Sequence, residues 1–470
     1  MAKNNLFDEA WKLLQNSIVE LDDKPIGTLA AEDKSSKKLN YNQIFIRDFA
    51  VSAFAFLLNG EHEIVKNFLE VILKLQGNEG EMDCFLPPKG LMPASFKIAS
   101  GQGKDKLIPD YGEKAIARVT PVDSAFWWIY ILRAYVKKTN DLDFTRSNDI
   151  QNAIKLILEH SLTNRFDMFP TLLVPDGSFM IDRRMNVYGY PLEIQALFYI
   201  ALLSAKELLI QNKENKILLE FIDKRLGQLV YHIRKYYWLD FNRLNKIYRF
   251  SIEEYKENAL NQFNIFPESI PGWIYNWLGD DDGYFAGNLG PSRMDFRFFT
   301  AGNLLMIINS LADEYHSKSI LKLIINKEKE LIGEMPIKIC YPALEGEEWE
   351  MLTGFDPKNI PWSYHNGGSW PVLIWYLAAA SIKMNSTEHL NKIIKIAEEK
   401  LPADNYPEYY DGIQNRLIGK EARSRQTWSI AGYIIAKTLM KEPEKISILT
   451  FEESPEIISR AHSIGNELDY

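Results

Sequence analysis

The pattern of apolar residues predicts an all-α protein in which six helical hairpins close into an (α/α)6 barrel, and three observations carry that prediction. Twelve stretches have helical periodicity, at about 7–22, 46–59, 61–76, 122–138, 148–162, 190–210, 216–239, 295–312, 314–328, 366–384, 386–400 and 422–439. The even-numbered stretches are largely apolar, whereas most odd-numbered ones keep a Lys- and Glu-rich face, which sorts them into an inner and an outer ring. The long connections, 23–45, 77–121, 163–189, 240–294, 329–365 and 401–421, all precede even helices, so in a barrel of alternating direction they share one rim. An open solenoid would instead show a regular repeat length, and these hairpins are unevenly spaced.

Each element follows from its residues. The first, FDEAWKLLQNSIVELD, sets Phe7, Trp11, Leu14, Ile18 and Leu21 on one stripe, as suits an outer helix. The second, FIRDFAVSAFAFLLNG, is apolar nearly all round after Asp48, and 122–138, 190–205 and 366–380 share that character. Pro191 suits the first position of the helix that follows it, and Glu193 suits the positive end of that helix dipole. The connections before helices 3, 9 and 11 are one or two polar residues, and no Pro- or Ser-rich linker divides the chain. Residues 1–470 therefore read as a single domain, with 440–470 a C-terminal surface tail.

Composition excludes several functions. A net charge of -9 and a pI near 5.5 give no electrostatic footprint for nucleic acid. Cys84 and Cys340 lie far apart and in no Cys-x-x-Cys motif, which suggests a reducing compartment. Residues 1–30 carry Asp8, Glu9, Glu20, Asp22 and Asp23 without an apolar leader core. Nor does any segment reach the roughly 18 uninterrupted apolar residues of a membrane span. The expectation is a cytoplasmic protein with no membrane partner.

The unusual clusters fall in or just after the long loops: IRDF (46–49), PVDSAFWW (121–128), MIDRRMNVYGYPLE (180–193), SRMDFRFFTAGN (292–303), PWSYHNGGSW (361–370), PEYYDG (407–412) and KEARSRQTWS (420–429). Function concentrates on loops carried by a rigid scaffold, so the site belongs on this rim. Asp182, on the loop of the third hairpin, and Glu408, on that of the sixth, would face each other across a six-fold ring. Two carboxyls roughly 6.5–9.5 Å apart admit an attacking water and cleave a glycosidic bond with inversion. As the acid, Asp182 must hold a proton, so Arg183 and Arg184 should point elsewhere, toward Asp176, Asp167 or the rim. Taken singly, Asp182 also fits a structural Asp–Arg pair and Glu408 a solvated acid after Pro407.

Asp48, Asp123, Gln195, His365, Asn366 and Trp428 are the candidates for binding sugar hydroxyls and ring faces. Asp48 and Asp123 equally suit helix caps, His365 a loop hydrogen bonder, and Asn366-Gly367-Gly368 a helix-start turn. No metal is expected: His365 has no second histidine or cysteine nearby, and Asp280-Asp281-Asp282 lacks an alternating ligand pattern. The sequence holds neither a phosphate-binding Gly loop after a strand nor a Ser elbow.

At these residues the chain resembles the alkaline and neutral invertases, glycoside hydrolase family one hundred, in their cyanobacterial form. The match runs from about residue 7 to 440, through IRDFAVSAFAFL, PVDSAFWWIYILRAY, MIDRRMNVYGYPLEIQALFY, YHNGGSWPVLIW, PEYYDG and GKEARSRQTWSIAGY. The resemblance implies an (α/α)6 barrel that hydrolyses sucrose to glucose and fructose without cofactor, near neutral pH in the cytosol, with inversion at the glucosyl carbon. It further implies Asp182 as general acid, Glu408 as general base, and assembly into a homo-oligomer. Rival readings are a hydrolase or epimerase of another small sugar on the same barrel, or a non-catalytic sugar-binding protein. An epimerase would use histidine pairs, and only His365 lies on the rim.

Overall fold

A computed structural model describes residues 3–32, 40–77, 89–99, 105–112, 119–162, 170–174, 179–252, 265, 267–290, 294–413 and 415–468. Six helices start at the predicted rim and are buried on nearly every side: α2 (Ile46–Leu58), α4 (Ser124–Thr139), α6 (Leu192–Leu208), α8 (Thr300–Ile308), α10 (Ile374–Lys383) and α12 (Thr427–Lys441). Each packs on the next, α2 on α4, α4 on α6, α6 on α8, α8 on α10 and α10 on α12, and α12 returns to α2. Amphipathic helices alternate with them: α1 (Lys3–Asn16), α3 (Glu63–Leu75), α5 (Asn148–Ser161), α7 (Lys216–Tyr236), α9 (Glu314–Asn326) and α11 (Leu390–Lys400). In α3, Ile64, Val65, Phe68, Leu69 and Ile72 are buried at helical spacing while Glu63, Lys66 and Lys74 stay outside.

The chain is predominantly helical but not all-α. Ile44–Phe45, Ser95–Ala99 and Lys106–Asp110 form one antiparallel sheet. A long hairpin, Gly283–Leu289 with Met294–Phe299, is flanked by Cys340–Tyr341 and Tyr190–Pro191 in a second. These strands occupy the long loops and shorten the helices predicted after them. The helix expected from 295 begins at Thr300, because MDFRFF alternates polar and aromatic residues and pairs as a strand instead. Likewise α10 begins at Ile374, not 366, since Gly367 takes a left-handed φ of 90° and Pro371–Leu373 form a 3-10 turn. The first helix ends at Asn16, and Ile18–Leu21 pairs with Lys24–Thr28.

The described part of the predicted surface tail, residues 440–468, is packed onto the ring. Leu449, Thr450 and Phe451 are buried at the end of the ring opposite the long loops. Tyr130 donates its hydroxyl to Leu449 O at 2.5 Å, and Arg133 donates to Ile448 O at 3.3 Å and Thr450 O at 2.9 Å. Lys383, at the last turn of α10, donates to Ile307 O, Ile308 O and Phe451 O. A further helix, α13 (Pro455–Leu468), lies along α7, where a side chain on Gly227 would meet Arg460 Cβ at 2.9 Å. Ile448, Leu449, Phe451, Ile457 and Ala461 are the apolar side chains this acidic stretch buries. Among the described residues no helix is long and apolar enough to cross a membrane.

Candidate active site

The inner helices begin at the rim, so their positive ends converge there, a field that favours carboxylates. Arg47 and Asp48 lie in the first turn of α2, Asp123 precedes α4, Glu193 is in the first turn of α6, and Trp428 opens α12. Arg47 is the hub of the floor. It donates Nε to Asp123 Oδ2 at 2.5 Å and Nη2 to Oδ1 at 3.0 Å, while the Trp127 indole donates to Oδ2 at 3.1 Å. Asp123 is wholly buried and both its oxygens accept hydrogen bonds, so it anchors Arg47. It makes no cap hydrogen bond either.

Asp48 and Glu193 face the same guanidinium. Burial pushes Asp48 up to about 7; Arg47 opposes this, while Glu408 and Asp123 add to it. Burial, with Asp123 adding, pushes Glu193 up to about 8, and its Oε1 has no hydrogen-bond partner. An acid held near neutrality in a cleft is a candidate functional group.

Glu408 is held by backbone and phenol. Its N–H donates to Arg423 O at 2.8 Å, and Tyr41 Oη donates to its Oε1 at 2.8 Å. Burial raises its proton affinity above the ordinary carboxyl value against the pull of Lys358, Tyr41 and Arg423. Asp182 starts the turn Arg183–Met185, and its backbone N–H donates to His365 Nδ1 at 2.7 Å. Contrary to expectation, Arg184 does not point away. It donates Nε to Asp182 Oδ2 at 3.0 Å and Nη2 to the same oxygen at 2.6 Å, with Nη1 on Asp356 Oδ1 at 3.1 Å. Burial pushes Asp182 up, but these hydrogen bonds and charges win, and the carboxyl sits below its ordinary value. Asp176 and Asp167, the partners expected for the arginines, lie outside the described residues.

His365 is buried and pushed down to about 3 by desolvation, so its ring is neutral. With Nδ1 accepting from Asp182, the proton sits on Nε2, a donor with no protein partner. Its ring stacks on Tyr364 at 4.0 Å between centroids. Burial raises the Tyr364 phenol far above its ordinary value, and both Glu408 and Asp182 push it further in the same direction. The two carboxyls from opposed hairpins therefore bear on one group. Trp428 packs edge-on against Trp370 at 5.7 Å with its indole N–H unpartnered.

Two predicted ligands are elsewhere. The Gln195 amide exchanges hydrogen bonds with Leu172, accepting from N at 2.7 Å and donating to O at 2.9 Å. Asn366 does the same with Leu344, at 2.7 and 3.0 Å, and also donates to Asn359 O. Both amides are fully buried and brace loops, as buried amides with complete partners do. Tyr41, Arg47, Glu193, Asp356, Lys358 and Tyr364 were not foreseen. A lone acid within the apolar run YPLEIQALF was the available signal for Glu193; nothing in the sequence marked Asp356 or Lys358.

The family model described as "Alkaline and neutral invertase" matches residues 10–443. The chain belongs to the alkaline and neutral invertase family. It is 51% identical over 466 residues to alkaline/neutral invertase C, mitochondrial, of Arabidopsis thaliana, covering 97% of this chain and 70% of that protein. Cytosolic invertase 1 of Oryza sativa subsp. japonica is 52% identical over 448 residues, covering 95% and 80%. Among solved structures, a bacterial glucoamylase complexed with acarbose covers 97% of this chain and 57% of its own, with a TM-score of 0.58 and 12% identity. A wild-type glycosidase covers 95% and 97%, with a TM-score of 0.54 and 10% identity. At such identities these likenesses speak of fold alone.

Proposed function

We propose that the protein hydrolyses sucrose to glucose and fructose with inversion at the glucosyl carbon, on the inner wall of an (α/α)6 barrel. Family membership supports the substrate and the reaction. The observation that supports the mechanism is the contact chain between the two acids: Asp182 N–H donates to His365, His365 stacks on Tyr364, and Tyr364 meets Tyr409, the neighbour of Glu408. Glu408 draws a proton from a water that attacks the glucosyl carbon, while Asp182 gives its proton to the fructosyl oxygen as the C–O bond breaks. Asp48 and the unpartnered N–H groups of His365 and Trp428 are suited to the sugar hydroxyls.

The resting charges run against these roles. Arg184 keeps Asp182 ionised, and burial favours the proton on Glu408. Catalysis by this pair requires Arg184 to release Asp182 once substrate is bound. The likeness to the rice cytosolic invertase supports a cytoplasmic setting. Homo-oligomerisation remains the expectation from the resemblance, checked by light scattering. The function is tested by incubating the protein with sucrose and following the products by proton NMR. Inversion releases β-glucose first; α-glucose as first product overturns the mechanism, and no glucose at any pH overturns the function.

A further inference from the structure

The segment Gly354–Ile360, between the short helix Gly346–Thr353 and the SYHNGG turn, touches the surroundings of both carboxyls. Asp356 is buried, and the segment's own atoms fix it: Lys358 N–H donates to Oδ1 at 3.0 Å and Asn359 Nδ2 to Oδ2 at 2.7 Å. Arg184, by contrast, is a half-exposed side chain shared between this anion and Asp182, with side-chain exposures of 45%, 3% and 15% for Arg184, Asp356 and Asp182. A fixed buried anion and a movable cation make a two-position arrangement.

Two residues on, Lys358 Nζ lies 3.7 Å from the Tyr364 ring centroid. Tyr364 in turn meets Tyr409, the neighbour of Glu408, ring to ring at 5.3 Å. The segment holds a bulky residue, Phe355, at a left-handed φ of 60° directly after Gly354 at 64°. Such a conformation is costly for an aromatic residue and concentrates at functional sites. Lys420 Nζ reaches Pro357 O at 3.4 Å, tying the segment to the loop that carries Glu408.

We propose that this segment sets the opposite charges the reaction needs, Asp356 drawing Arg184 off Asp182 and Lys358 holding Glu408 ionised. This rests on the acid and base roles proposed above. Asp356 and Lys358 are positioning residues, since each acts through another group. Besides Arg184, His365 and Tyr364 bear on Asp182 among the described residues. Besides Lys358, those that bear on Glu408 are Tyr41 and Arg423, with Tyr364, Tyr409 and Asp48 also in electrostatic reach. None of these others alternates between two carboxyls in the way Arg184 is placed to do.

The signs are separate for the two residues. Asp356→Asn leaves Arg184 on Asp182, lowers the proton affinity of the acid and moves the alkaline limb of the kcat/KM profile to lower pH. Lys358→Met removes a cation from Glu408, raises the proton affinity of the base and moves the acidic limb to higher pH. Each shift is expected at about one pH unit, the scale of one lost charge partner, with kcat down about tenfold. Lys358→Arg should restore the acidic limb. The experiment is the pH dependence of sucrose hydrolysis for wild type and the three variants, with melting curves as the folding control. Unmoved limbs in Asp356→Asn and Lys358→Met, while wild type inverts sucrose normally, overturn the inference and leave the function standing. Should Asp356→Asn melt early, the acidic limb of Lys358→Met decides alone. A wild type that releases no glucose removes the function itself.

Discussion

The two ends of the helical ring treat buried polar groups in opposite ways. At the closed end, Lys383 is pushed down to about 8 by desolvation, yet its ammonium meets three backbone carbonyls and the Ser310 hydroxyl. Arg133 there meets Glu207 and two carbonyls and stacks over Phe451 at 3.9 Å. At the open end, Glu193 Oε1, His365 Nε2, Trp428 Nε1, Gln426 Oε1 and Arg423 Nε are buried with no hydrogen-bond partner among the described residues. An unmet buried group costs roughly 1–3 kcal/mol, so this cluster of five is a local stability deficit. The contrast separates an end whose buried cations are met by backbone carbonyls from an end where unmet polar groups gather beside the carboxyls.

That contrast can be broken most directly at the two carboxyls. Asp182→Asn and Glu408→Gln should each lower glucose release from sucrose by about 10²–10⁴-fold, the range for lost acid–base catalysis, with the melting temperature nearly unchanged. A large loss of stability in either would make it a structural residue. The mirror experiment is Lys383→Met at the closed end. It strands the carbonyls of Ile307, Ile308 and Phe451 and should cost about 3 kcal/mol in denaturant unfolding, while the folded fraction keeps its kcat.

Glu193 sharpens the comparison through pH. Its folded-state pKa of about 8 lies above the ordinary carboxyl value. Between those two values the native state keeps a proton that the unfolded chain releases. Its contribution to stability is therefore full below the ordinary carboxyl range and is lost as pH rises through about 8. Glu193→Gln should flatten the fall in melting temperature between pH 5 and 9; an unchanged slope refutes this account. The smallest effect on catalysis is expected from Trp428→Phe, which keeps an aromatic face but loses the pyrrole ring with its N–H. KM for sucrose should rise by up to about tenfold, one hydrogen bond's worth, with a modest fall in melting temperature from the void left beside Trp370.

Much of this was legible in the chain. Apolar runs such as AVSAFAFLL and ALFYIALLSA can only be buried on all sides, which identified the inner helices, and the long loops before them identified the rim. Asp48, Asp182, His365, Glu408 and Trp428 do lie in one neighbourhood. Gln195 and Asn366 misled because a buried amide that braces a loop and one that binds a hydroxyl look alike in sequence. Residues 443–451 misled because Ile446, Ile448, Leu449 and Phe451 show no helical or strand periodicity, though Ile448, Leu449 and Phe451 are buried at the closed end.

Local patterns, then, determined the helices, their two classes and the loops that carry the acids, because periodicity and turn chemistry act over a few residues. Which cation sits beside which acid was decided only by tertiary structure. Arg184 reaches Asp356, 172 positions along the chain, and Tyr41 reaches Glu408, 367 positions away. The charge of a buried carboxyl depends on such partners and on desolvation, and neither is written in the residues next to it.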